Sequence, residues 1–110
     1  MERRTRLRQS RDVERVYDEG SSWSDPLLVL VVRPSEHDHS RVGVTASRSV
    51  GNAVQRNRAK RLLREAARRL YPEFESAGWD IMLIARPDLV TATKADVEEA
   101  LAKLLRRAGL

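Results

Sequence analysis

Two spacings of apolar residues alternate along the chain. Ala59, Leu62, Leu63, Ala66, Ala67 and Leu70 recur at i, i+3, i+4, i+7 and i+8, the stripe of one helical face. The spacing predicts a long helix whose start is well marked. Gly51 permits a tight turn, Asn52 can cap, and Gln55 can return the bond in a capping box. Tyr71-Pro72 is expected to stop this helix. A second stripe, Val97, Ala100, Leu101, Leu104, Leu105 and Ala108, follows the cap Thr93 with Asp96 at its third position. Nearer the start, Ser10 is read as the N-cap of a short helix carrying Val13, Val16 and Tyr17 on one side. That helix should close on a left-handed Gly20.

Between the helical stretches lie shorter apolar runs. Leu27 to Val32, LLVLVV, is apolar on both faces and predicts a central or covered strand ended by Pro34. Arg41 to Ser47 alternates Val42, Val44 and Ala46. It predicts a second strand, paired with the first as an antiparallel hairpin across the polar PSEHDHS. Trp79 to Arg86, WDIMLIAR, predicts a third strand parallel to the one before the long helix, and Trp23 falls on a short edge strand. Helix, strands, helix, strand, helix is the order of an α+β fold, a two-layer α-β sandwich on a mixed sheet. At 110 residues the chain reads as one domain, 1–110, with a basic arm at 1–9 expected to be mobile until it meets a partner.

Charge changes the picture. Residues 1–70 carry a net +7 and residues 71–110 a net −2, so the overall +5 is concentrated in one part of the chain. From Arg48 to Arg69 there are eight Lys or Arg and one acid, Glu65. On the helical wheel Arg56, Asn57, Lys60, Arg61, Arg64 and Arg68 form a sector beside the apolar stripe, with Arg58 and Arg69 on its other flank. Pairing at i, i+4 cannot neutralise this surface, so its counter-charge is expected from a polyanion, with nucleic acid favoured over an anionic membrane. A strand leads into the helix, which disfavours a helix-turn-helix reader of DNA.

Chemistry borne by the chain itself finds little support. The absence of cysteine removes disulfides, thiolate zinc sites and cysteine nucleophiles, and no nucleotide-binding glycine loop is present. Glu36, His37, Asp38 and His39 lack metal-ligand spacing and read as a solvated turn. Neither a secretory leader nor an apolar run of membrane-spanning length is read, and the expectation is a cytoplasmic protein.

RVGVTASRSVGNAVQRNRAKRLLREAARRL closely resembles the signature of the bacterial ribonuclease P protein subunit. The arm RTRL, the helix DVERVYDEG, the strand LLVLVV and the stretch DIMLIARP fall where that family has its equivalents. The resemblance implies a fold like the second domain of ribosomal protein S5, with a left-handed crossover between parallel strands. It further implies that a large RNA subunit hydrolyses the bond joining the 5′ leader to precursor tRNA, using Mg²⁺ expected mainly on the RNA. The protein, most simply a monomer in the holoenzyme, would assist. Carried over, Arg56, Asn57, Arg58, Lys60, Arg61, Arg64 and Arg68 would contact the catalytic RNA, helped by Arg48 and the arm residues Arg3, Arg4, Arg6 and Arg8. The leader cleft would map onto Val13, Tyr17, Leu28 and Val31, where this chain keeps one aromatic, Tyr17. Another structured-RNA binder, such as a ribosomal or assembly protein, is the alternative, and an autonomous nuclease a third.

Overall fold

The computed structural model describes residues 2–109. Helix α1 spans Ser10–Glu19, strand β1 Ser21–Ser24, β2 Leu28–Pro34 and β3 Arg41–Thr45. Helix α2 spans Ala53–Phe74, β4 Trp79–Ala85 and α3 Lys94–Arg107. The four strands form one mixed sheet in the order β1-β2-β4-β3. β2 is antiparallel to both β1 and β4, whereas β3 runs parallel to β4.

The expected β2–β3 hairpin is therefore replaced by an insertion: β4 lies between them. Ile81, Met82, Leu83 and Ala85 are buried, and a strand apolar on both faces is stable only where both faces are covered. The connection from β2 to β3 passes over the start of β4. Ser35 donates its N–H to the Gly78 carbonyl at 2.6 Å, and Ser40 donates its own to Glu75 at 2.8 Å. The parallel pairing of β3 with β4, across α2, is as the order of elements predicts.

Alternation along the strands divides the interior. Leu28, Leu30, Val32, Ile81 and Leu83 face α2 and α3, meeting Leu62, Leu63, Leu101 and Leu104 in the main core. Val31 and Met82 face the other way, under Leu7 and Val16. α1 thus lies on the opposite side of the sheet from α2 and α3.

Four local expectations are corrected. α2 continues through Pro72 to Phe74, because Phe74 is buried and packs edge-on against Tyr71 with ring centroids 5.2 Å apart. Burial of such a side chain is worth about 2–3 kcal/mol, which offsets much of the cost of a proline near the helix end. Gln9 rather than Ser10 caps α1, with no side-chain cap bond, and Gly20 is extended at φ −82° rather than left-handed. Glycine is required at position 20 by space: a Cβ would strike the Val16 carbonyl and lie 2.9 Å from that of Val32. Finally, the arm is docked on the sheet. After a 3₁₀ turn at Arg3–Thr5, Arg6 bridges Val42 in parallel, and Leu7 inserts its buried side chain beneath α1. β3 is an edge strand whose outer backbone groups the arm can pair, and Leu7 supplies the apolar anchor.

Candidate nucleic-acid interface

The basic helix is fixed at both ends of its first turn. Arg48–Val50 forms a 3₁₀ turn, and Gly51 follows at φ 143°, a conformation that disfavours side chains. Asn52 and Gln55 then complete the predicted capping box, each bond 2.9 Å long. With the stripe from Ala59 to Ala67 buried in the main core, the rotation of α2 is set.

That rotation sorts the cations into two groups. On the flank facing α3, Arg69 pairs with Glu98 at 3.2 Å, and Arg58 donates to the Val90 carbonyl at 3.1 Å. Glu65, the one acid between Arg48 and Arg69, is taken by Lys94 at 3.1 Å. On the other flank Arg61, Arg64 and Arg68 are exposed, Lys60 is half-buried, and Asn57 stands exposed a turn earlier. Among the described residues no carboxylate pairs with Lys60, Arg61, Arg64 or Arg68. Arg56 is unpaired too, but its guanidinium donates to the Gly51 carbonyl at 2.8 Å and so braces the turn.

The folded arm adds to the free flank. Arg6, Arg8 and Arg64 line one groove of about 580 Å³ whose floor is Val42, Gly43 and Val44 on the edge of β3. Arg3 joins Arg6 and Arg8 around a neighbouring hollow over Asp12 and Arg41. Arg4 lies apart from this group. It pairs with Glu2 at 3.0 Å and with Glu75 at 3.4 Å, and the hydrogen bond it donates to Glu2 raises its pKa. Arg48 is exposed in its turn. The structure thus gathers arm and helix on one side of the sheet edge, while Arg4 and Arg58 have internal partners.

The apolar cleft between α1 and the sheet differs from expectation in two positions. Leu28 is fully buried on the opposite face, in the main core, and cannot line this cleft. Val31 is on the cleft side but covered by α1, with 7% of its surface exposed. The open wall consists of Val13, Val29 and Ile84, all half-buried, with Tyr17 at 43% exposure above them. Partial burial raises the pKa of the Tyr17 hydroxyl. Val29 and Ile84 were missed, although parity along the strand could have supplied Val29: it shares a face with Val31, whereas residues three apart do not.

A polar network at one end of α1 was also missed. Arg41 binds Asp80 through two nitrogens at 2.9 and 2.8 Å and reaches Asp12 at 3.4 Å. The bonds to Asp80 raise the pKa of Arg41, against the opposing effect of burial. In the 36–39 turn, Glu36 pairs with Arg15, and His39 lies between Asp38 and the Arg4 carbonyl, each at 3.0 Å. Among the described residues no three His, Cys, Asp or Glu side chains are grouped to hold a metal ion. Among the described residues no helix is long and apolar enough to cross a membrane. The surface can bind phosphates through guanidinium groups and an apolar strand segment through the cleft.

Comparison with known proteins gives the family. The family model described as Ribonuclease P matches residues 1–109. The ribonuclease P protein component of Herpetosiphon aurantiacus is 43% identical over 110 residues, covering all of this chain and 89% of the relative. That of Clostridioides difficile is 36% identical over 94% of this chain and 91% of its own length. The ribonuclease P protein of Staphylococcus aureus superposes with a TM-score of 0.83 at 30% identity, covering 96% of this chain and 95% of that one. That of Thermotoga maritima gives 0.82 at 35% identity over 93% and 96%. On the strength of this full-length match in sequence and fold, the chain belongs to the ribonuclease P protein family.

Proposed function

We propose that this chain binds the catalytic RNA of ribonuclease P through the free flank of α2 and the docked arm, and holds the 5′ leader of precursor tRNA in the cleft beneath α1. The observation that carries the reading is the row Lys60, Arg61, Arg64 and Arg68, left without carboxylates and extended by Arg6 and Arg8 across one groove. Guanidiniums on a rigid helix position phosphates without reading sequence, which suits a partner recognised by shape. Val13, Val29 and Ile84 offer a sequence-tolerant surface, and Tyr17 the one ring on which a base can stack. Hydrolysis of the leader bond belongs to the RNA subunit with its Mg²⁺; the protein's part is to raise affinity for the leader-bearing substrate. One protein per catalytic RNA, in the cytoplasm, completes the reading.

Reconstitution tests it. Purified protein, candidate catalytic RNA and precursor tRNA are combined at low Mg²⁺, with each component omitted in turn. Release of the leader is expected only with the RNA present, and faster with the protein. Cleavage by the protein alone would refute the assignment.

A further inference from the structure

α1 is held to the sheet by little apolar contact. Val16 is its one fully buried side chain, with Val13 half-buried beside it and Leu7 wedged from the arm. Charged contacts supply the rest. Glu19 pairs with Arg33 of β2 at 3.0 Å, Arg15 with Glu36 at 2.9 Å, and Asp12 with Arg41 of β3 at 3.4 Å. The last of these differs in kind. Arg33 and Arg15 meet glutamates that are more than half exposed, whereas Arg41 is 16% exposed and grips Asp80, whose side chain is 4% exposed. A bidentate arginine on a buried carboxylate has almost no freedom, since its planar fork is fixed by both bonds. Its third nitrogen therefore presents a fixed donor to the first turn of α1.

We propose that Arg41 is a positioning residue for the leader cleft: anchored on Asp80, it sets the height of α1 over the sheet through Asp12, and so the width between Tyr17 and the Val29–Ile84 wall. The inference rests on the cleft reading given above, and it concerns the leader rather than the catalytic RNA. Asp12 lies in the first turn of α1 and Tyr17 in its second half, so a tilt about the Val16 contact carries the ring toward or away from the sheet. A leader strand pressed between them is sensitive to such a shift, while phosphate contacts on the far flank of α2 are not.

The test uses the reconstituted holoenzyme and compares its affinity for precursor tRNA with a long leader against the same tRNA with a one-nucleotide leader. Asp12→Asn leaves the Arg41–Asp80 pair intact and so should keep the fold. It is expected to lower the long-to-short affinity ratio by about tenfold, the loss of a charged hydrogen bond expressed in binding, with short-leader affinity unchanged. Asp12→Glu, which restores the charge, should recover part of the ratio. Tyr17→Ala reports on the cleft itself. A ratio that falls with Tyr17→Ala but is untouched by Asp12→Asn overturns the role of Arg41 and leaves the cleft standing. A ratio near one in the unaltered holoenzyme overturns both. Equal loss of both affinities with a fallen thermal midpoint marks Asp12 as structural only and also overturns the proposal.

Discussion

The N–H of Leu7 donates to the carbonyl of Val42 at 2.9 Å, and this one backbone bond, with the burial of the Leu7 side chain, lays the basic arm along the edge of β3. Arg6 and Arg8 then flank Leu7 on the side of the groove that Arg64 closes. Cations on a strand-like segment keep their spacing, so less entropy would be lost on binding the proposed RNA.

The close approach of arm and strand depends on Gly43. A Cβ there would lie 2.7 Å from the Leu7 carbonyl oxygen and 2.6 Å from Met82 Sδ. Met82 can swing aside, but the backbone of the arm cannot. Gly43→Ala is expected to destabilise by about 1–3 kcal/mol, and hydrogen exchange should show lost protection at the Leu7 amide with the β2–β4 amides still protected.

The free flank of α2 should respond to charge removal without unfolding. Arg61→Ala with Arg64→Ala removes two exposed guanidiniums that have no protein partner among the described residues. The log–log salt slope of RNA binding, near −3.5 for about five phosphates on a single strand, should flatten by about 1.4, with the thermal midpoint unchanged. Arg56→Ala should behave differently, because its bond to the Gly51 carbonyl is also lost, at a cost of about 1 kcal/mol in stability by denaturant titration.

Neighbouring residues of β2 should give opposite phenotypes. Leu28→Ala empties a fully buried site in the main core and should cost about 2–5 kcal/mol, with no selective effect on the leader. Val29→Thr on the half-buried cleft wall should cost about 1 kcal/mol and lower affinity for long-leader precursors relative to short ones. Denaturation paired with substrate binding separates the two faces.

Asp25 provides a pH-dependent test away from the interface. Its burial favours protonation, but Lys103 at 2.8 Å and the Leu27 N–H at 3.0 Å outweigh this and lower its pKa below the ordinary 3.8. A carboxylate with a depressed folded pKa stabilises fully above the unfolded value, and the gain is lost as pH falls through the folded one. Asp25→Asn should therefore be less stable than the native chain by about 1–2 kcal/mol at pH 7. The gap should shrink below pH 3.8, read from urea midpoints across the acid range.

Both capping boxes, the buried stripes of α2 and α3 and the side of α2 bearing the cations were legible in the sequence alone. Each depends on residues within one or two turns, where helical geometry permits one answer. Strand order, the docking of the arm, the Arg41–Asp80–Asp12 network and the face to which Leu28 belongs were decided only by tertiary structure. They join residues 39 positions apart, as with Arg41 and Asp80, or further, as with Leu28 and Ala85, and a strand apolar on both sides carries no alternation to say which side is which. Local periodicity told which residues the helix would leave to solvent; packing against α3 and the turn before it determined which of those cations found partners, and left the others on the opposite flank without one among the described residues.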